Sequence, residues 1–351
     1  MEVTAMGEMP AELPRRRGRA PARPARPAPP RDARAPARHY AALDLGTNNC
    51  RLLIARPQGD GFAVVDAFSR IVRLGEGIAA SGRLSDAAIE RTIAALRVCA
   101  DKLKRRNVTL ARSVATEACR RAANGPAFIT RVLEETGIRL DIISAEEEAR
   151  LAVLGCHALL EPGDGPAMVF DIGGGSTELV LLDTRSAVPT VRDWHSASWG
   201  VVSLTESAGG GEGAAGRAAA YARMRALVAD SFAPFAARLP HPHGIPRLLG
   251  TSGTVTTLAS VHLGLERYDR AAVDGLIAPA SAMRAISRDL AGMSIAERAK
   301  LPCIGRERAD LVVAGCAILE GILDIWPAER IGIADRGIRE GILRRLMETA
   351  G

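Results

Sequence analysis

Val169-Phe170-Asp171-Ile172-Gly173-Gly174-Gly175-Ser176-Thr177-Glu178-Leu179-Val180-Leu181-Leu182 is the stretch whose reading decides the fold. An apolar run ends at an acid, three glycines follow, then two hydroxyls, a second acid and another apolar run. The pattern reads as strand, tight turn, strand. Without Cβ atoms, glycines let the backbone turn sharply and approach a ligand closely. Successive N–H groups in such a turn form a concavity that binds anions. Asp171 at the strand end suits a cation, because carboxylate and phosphate repel unless a metal lies between them. A glycine-rich hairpin with no ligand shows the same local pattern, so this stretch alone leaves both readings open.

A second copy changes the weight. Ala41-Ala42-Leu43-Asp44-Leu45-Gly46-Thr47-Asn48-Asn49-Cys50-Arg51-Leu52-Leu53-Ile54 has the same order of apolar run, acid, glycine, hydroxyl or amide, and apolar run. Asp44 and Asp171 are 127 residues apart, about one domain length. A hairpin repeated at that spacing predicts a duplicated domain with two phosphate loops facing each other across a cleft.

Composition narrows the class. The 351 residues allow two domains of ordinary size. No apolar run is long enough to cross a bilayer, so no membrane partner is expected. The net charge is +6, but residues 1–39 carry nine Arg and four acids and hold +5 of it. The nearly neutral remainder excludes a general nucleic-acid binder by charge. The Pro/Ala/Arg tail of residues 1–39 has too few large apolar side chains to form a core, and disorder is expected there. It has no apolar core of a secretory signal. The six cysteines show no zinc-type spacing and read as reduced core thiols of a cytoplasmic protein.

In chain order, the first hairpin leads to a strand near 61–73. A helix follows, capped by Ser85 and with Ile89, Ile93, Leu96 and Leu103 on one face. A strand over 108–115, a helix opening at Thr116, another from Gly125-Pro126 to Gly137 and a strand near 138–143 complete this half. Ser144 and Glu147 form a capping-box pattern at the next helix, which says least about Glu148. The second half repeats the order: hairpin 167–182, strand 190–196, a helix over 216–238, then strand, Gly/hydroxyl loop and helix start at 247–255. Helical segments fill most of 278–326, before a last strand at 330–334 and a last helix. Three strands followed by alternating helices and strands is a ribonuclease-H-like layout. Gly253 opens a helix after a strand, which fits either an anion site or a plain turn. His241-Pro242-His243 has the residue types of a metal pair but sits in a Pro-rich turn, where a solvated loop is expected.

On these motifs the chain resembles the exopolyphosphatase/guanosine pentaphosphate phosphohydrolase (Ppx/GppA) family, within the actin, sugar-kinase and chaperone-ATPase superfamily. The resemblance covers residues 40–349. It rests on 43–48, 115–120, 144–150, 171–178 and 250–254, followed by 334–341. It implies an α/β fold of two ribonuclease-H-like domains flanking a cleft, over 40–150 and 151–336, with a C-terminal helix at 337–351 packing back on the first. It places a catalytic glutamate on Glu148, and phosphate-binding groups on Gly46, Thr47, Asn48, Arg120, Gly173, Gly174, Gly175, Ser176, Thr177 and Gly253. Metal-associated acids fall on Asp44, Asp171 and Glu178, with Mg2+ or another divalent cation as cofactor. Asp335 and Arg339 match the C-terminal motif, where helix capping is an equal reading.

Two departures stand out. The first loop reads Thr47-Asn48-Asn49-Cys50 where many members have Ser-Asn-Ser and an aromatic. The helical metal-phosphohydrolase-type domain of long members has no counterpart in this sequence, so a short form is expected and long-chain processivity is not carried over. The resemblance implies release of terminal phosphate from inorganic polyphosphate, or the same reaction on guanosine pentaphosphate, and a homodimer. Low aromatic content leans toward polyphosphate. A sugar-kinase-type transferase lacks an identifiable acceptor base, and a silent nucleotide sensor is disfavoured by the intact Glu148, Asp171 and Glu178. Closure is expected at a hinge near Arg150–Leu154.

Overall fold

A computed structural model describes residues 38–163, 166–186, 189–239 and 246–350. Most of the basic tail, and the His241-Pro242-His243 turn, lie outside the described residues. The described part of the chain from Arg38 onward forms one compact unit.

The first half contains strands β1 (His39–Leu45), β2 (Asn49–Gln58) and β3 (Gly61–Ile71), helices α1 (Ile78–Ser81) and α2 (Asp86–Arg105), and strand β4 (Val108–Ala115). Helices α3 (Glu117–Arg121) and α4 (Gly125–Thr136), strand β5 (Leu140–Ile142) and helix α5 (Ala145–Cys156) follow. The second half contains β6 (Ala167–Ile172), β7 (Thr177–Asp183), β8 (Thr190–Ala197), α6 (Val201–Ala208), α7 (Gly213–Ala236), β9 (Arg247–Thr251) and α8 (Gly253–His262). It ends with α9 (Arg270–Val273), β10 (Ile277–Pro279), α10 (Ala280–Gly292), α11 (Ile295–Arg298), α12 (Val312–Ile325), β11 (Arg330–Ala334) and α13 (Ile338–Ala350).

The two sheets repeat one topology. The first runs β3-β2-β1-β4-β5, and the second, read in the same sense, runs β8-β7-β6-β9-β11-β10. In each, three antiparallel strands are joined by parallel ones through helical crossovers. The added edge strand β10 was not expected from sequence. Three residues are too few to show an alternation, and the segment abuts the strong helical pattern of α10.

Side-chain alternation builds the layers. On the first sheet, Leu43, Leu45, Leu52 and Ile54 meet Ile93, Leu96 and Phe128 of α2 and α4. The opposite face, with Tyr40, Ala42 and Leu53, meets Leu151 of α5 and Ile338, Ile342 and Leu343 of α13. On the second sheet, Met168 and Phe170 pack with Phe232, Phe235 and Trp326. Val169, Val180 and Leu249 pack against Ala149, Val153 and Cys156 of α5. Helix α5 therefore lies against both sheets. Arg150–Leu154 sits within it, and the break at residue 150 falls inside a continuous helix.

Ser85 and Ser144 cap their helices, accepting from the N–H groups of Ala88 and Glu147. The return half of the expected capping box is not made. The Glu147 carboxylate instead pairs with Arg112 at 2.7 Å and Arg345 at 3.6 Å. A charged partner on a neighbouring element outcompetes a neutral backbone N–H. All six cysteines are free thiols, five of them buried.

Helices α5 and α13 meet at glycine contacts. A Cβ on Gly155 would lie 1.9 Å from the Gly337 carbonyl oxygen, where only backbone could yield. Gly155→Val therefore loses on the order of 2 kcal/mol of stability and several degrees of Tm in a thermal melt. Gly292→Ala, with open space around its Cβ position, leaves the melt nearly unchanged.

Candidate active site

The two glycine hairpins use the same local bond. Gly46 N–H donates to the Asn49 carbonyl at 2.9 Å, and Gly173 N–H to the Ser176 carbonyl at 3.0 Å. Each loop is held from behind through its carbonyls. Gly75 N–H donates to Thr47 at 2.9 Å and Val72 N–H to Asn48 at 2.8 Å. Val201 and Val202 N–H donate to Gly173 at 3.0 Å and Gly174 at 2.8 Å. Among the described residues, no acceptor takes the N–H groups of Thr47, Asn48, Gly174 or Gly175.

The loops touch. A Cβ on Gly174 would lie 2.9 Å from Thr47 Cβ and 3.0 Å from Asn48 N, and one on Gly175 would lie 2.7 Å from Thr47 Oγ1. They form the wall of one cleft together with Asp44, Arg51, Glu148, Asp171, Ser252 and Arg339. Most of the expected residues line this cleft: Asp44, Gly46, Thr47, Asn48, Glu148, Asp171, Gly173, Gly174, Gly175 and Ser176. Gly253 lines an adjoining pocket that shares Asn48, Asn49 and Arg51 with it.

Three expected residues stand behind the wall. Thr177 is fully buried, and its hydroxyl donates to the Trp199 carbonyl at 2.7 Å. Glu178 accepts from the Ser196 hydroxyl at 3.0 Å. Arg120 pairs with Glu148 at 2.7 Å and Glu117 at 2.9 Å, and donates to the Ile143 carbonyl at 2.9 Å. With its guanidinium engaged in this way, Arg120 holds the glutamate.

Arg51 was not singled out from the sequence, although hairpin counting identifies it. Asp44 pairs in register with Arg51 on β2, as Asp171 pairs with Glu178 on β7. The duplicated hairpins thus set opposite charges at the matching position. Ser252 also lines the cleft, at φ 83° and ψ 179°, a region ordinarily left to glycine. Its hydroxyl donates to the Ile172 carbonyl at 3.0 Å. Arg339, in the first turn of α13, has its pKa pulled down by burial and pushed up by Glu340.

Burial sets the electrostatics. It pushes the Glu148 carboxyl well above the usual range, the Glu178 charge adds to the shift, and Arg120 opposes it. Asp171 is raised to about 6 by burial, against the pull of Arg51. Glu178 is raised to about 7 by burial and the Asp171 charge. Asp44 is raised by burial, offset by Arg51 and Arg339. Its Oδ1 is buried with no hydrogen-bond partner. Among the described residues, no three His, Cys, Asp or Glu side chains converge tightly enough to hold an ion alone. An orphaned carboxylate oxygen beside a second raised carboxyl fits an ion held by one or two carboxylates, waters and substrate oxygens, the habit of Mg2+.

The model of the Ppx/GppA phosphatase family matches residues 53–350. The chain belongs to that family. It is 33% identical over 291 residues to exopolyphosphatase 2 of Mycobacterium tuberculosis, covering 80% of this chain and 88% of the relative. It is 30% identical over 316 residues to guanosine-5'-triphosphate,3'-diphosphate pyrophosphatase of Aeromonas salmonicida, covering 88% of this chain and 59% of that protein. The crystal structure of the Aquifex aeolicus Ppx/GppA family member superposes with a TM-score of 0.73 at 28% identity, covering 90% of this chain and 99% of that one. The fold is accordingly two actin-like domains, as in the Ppx/GppA neighbours. No helix among the described residues is long and apolar enough to cross a membrane.

The raised carboxyl of Asp171 carries a stability consequence. The folded chain keeps its proton to about pH 6, whereas an unfolded aspartate loses it near pH 4. Stability therefore falls as pH rises through that window. In chelator-treated protein, Asp171→Asn gains roughly 1–3 kcal/mol over wild type at pH 8 and little at pH 3.5. Urea melts at the two pH values measure the difference.

Proposed function

We propose that the chain is an exopolyphosphatase that hydrolyses the terminal phosphoanhydride of inorganic polyphosphate with a divalent cation, Mg2+ by preference. The supporting observation is the direct contact of the two loops, Gly174 against Thr47 and Asn48, beside a cleft that Glu148 lines.

The terminal phosphoryl lies between the loops, its oxygens accepting from the N–H groups of Thr47, Asn48, Gly174 and Gly175. Fixed donors of this kind stabilise developing charge without reorganisation. Asp44 and Asp171 would hold the cation, with Glu178 behind them. When bound, the ion would shield charge on the phosphoryl oxygens. Glu148 takes a proton from water as its oxygen bonds to phosphorus. The bridging P–O bond breaks, and the shortened chain leaves with that electron pair. Arg120 holds the Glu148 carboxylate at 2.7 Å and opposes the upward push of burial on its pKa. Arg51 and Arg339 give the cleft positive charge for the rest of the polyanion.

Guanosine pentaphosphate is the second reading. The pocket adjoining the cleft supports it, since Arg308, Leu311 and Val312 there offer a cation and apolar surface. No aromatic side chain lines the cleft or that pocket among the described residues, which leaves a guanine without a stacking partner and favours polyphosphate.

Phosphate release from the two substrates, measured side by side with Mg2+ and with chelator, tests the proposal. Wild type releases phosphate faster from polyphosphate, and chelator stops it reversibly. Glu148→Gln lowers kcat by about 10²–10⁴-fold, roughly 3–5 kcal/mol of barrier, with KM little changed. A Gln variant that turns over at the wild-type rate overturns the assignment of the base.

A further inference from the structure

Helix α6 makes contacts at both of its ends. Its first turn bonds the loop at Gly173 and Gly174, and its last turn forms one wall of a separate cavity of about 440 Å³. Ala220 and Met224 of α7, Ala291 of α10 and Val313 of α12 give the cavity an apolar interior, and Ile295 of α11 stands at its mouth, 56% exposed.

Arg298 also lines this cavity and is only 6% exposed. One guanidinium nitrogen donates to the Leu290 carbonyl at 3.3 Å, while Nε is buried with no partner. Among the described residues, Arg298 has no carboxylate within ion-pair distance. The acid nearest in kind on the cavity wall, Asp310, is held by Arg73 at 3.0 Å. Glu212, on the glycine-rich lip, is exposed. Burial pulls the Arg298 pKa down, the Arg217 charge adds to that, and Asp310 opposes it. A buried guanidinium without a counter-charge is costly, and its planar fork matches a carboxylate.

We propose that this cavity is a binding site for a small carboxylate with a short apolar chain. The carboxylate accepts from the Arg298 guanidinium, and the chain lies against Met224, Ala220 and Val313. The mostly apolar interior selects such a ligand over a bare inorganic anion. The site is tied to the cleft through two links. Glu206 on α6 accepts from Gly77 N–H at 2.9 Å. The Arg73–Asp310 bridge joins the cavity wall to the segment that backs Thr47 and Asn48.

Calorimetric titration of the full chain with octanoate, 1-octanol and inorganic phosphate tests the site. Octanoate binds saturably at one site, and octanol and phosphate bind at least tenfold more weakly. Arg298→Met abolishes octanoate binding. Because Arg298 is buried, Ile295→Asp at the exposed mouth serves as a second variant; it weakens octanoate at least tenfold while circular dichroism stays unchanged. Failure of wild type to bind octanoate overturns the proposal, as does equal binding by both variants. Octanol binding as tightly as octanoate reduces the cavity to an apolar hole, and phosphate binding as tightly overturns the ligand class. Octanoate at saturation shifts the wild-type KM in the phosphate-release assay and not that of Arg298→Met. An unshifted wild-type KM overturns the link to the cleft and leaves the binding result standing.

Discussion

The contact of two backbone turns is the constraint on which the rest depends. Thr47 and Asn48 lie where any side chain on Gly174 would have to go. The first loop is braced by the segment 72–75, and the second by the start of α6. Those braces use the loop carbonyls and leave the N–H groups of Thr47, Asn48, Gly174 and Gly175 without an acceptor among the described residues. The sheets beneath set the distance, with α5 packed on both of them. In the proposed reading, the core thus positions four N–H donors for a preorganised phosphate site.

Into that frame the chain sets a deliberately unfavourable cluster of charge. Asp44, Asp171, Glu178 and Glu148 are all buried enough for their carboxyls to be raised. Arg120, Arg51 and Arg339 offset part of this from three different elements. The pairing of Asp44 with Arg51 and of Asp171 with Glu178 at one hairpin position divides the labour of a duplicated unit. In the proposed reading Arg51 answers substrate charge, while Asp44 and Asp171, one from each hairpin, would share the cation. Such a cluster is expected where binding, not folding, supplies the missing compensation.

Much of this was legible in the sequence because it is local. Glycine and hydroxyl residues between two apolar runs mark both hairpins, and Ser85 and Ser144 announce their helices. The repeat at Asp44 and Asp171 gives the paired architecture. What was not legible is tertiary. The pairing of Arg120 with Glu148 depends on α3 meeting α5, which no spacing encodes, whereas its i,i+3 pair with Glu117 lies within α3. Glu147 abandons its cap for Arg112 on a strand 35 residues earlier. Ser252 takes a backbone conformation that its residue type argues against, because the turn between β9 and α8 is fixed from both sides. Arg51 was readable by counting the hairpin register, yet its type match to the other hairpin is reversed in charge, which hid it.

The most direct measurement is a crystal structure of the Glu148→Gln protein with Mg2+ and a short polyphosphate. The account predicts the terminal phosphorus between the two loops, with its oxygens within hydrogen-bond reach of N–H groups on both and residue 148 facing the line of attack. An anion bound to one loop only, or residue 148 turned away from it, would contradict the account.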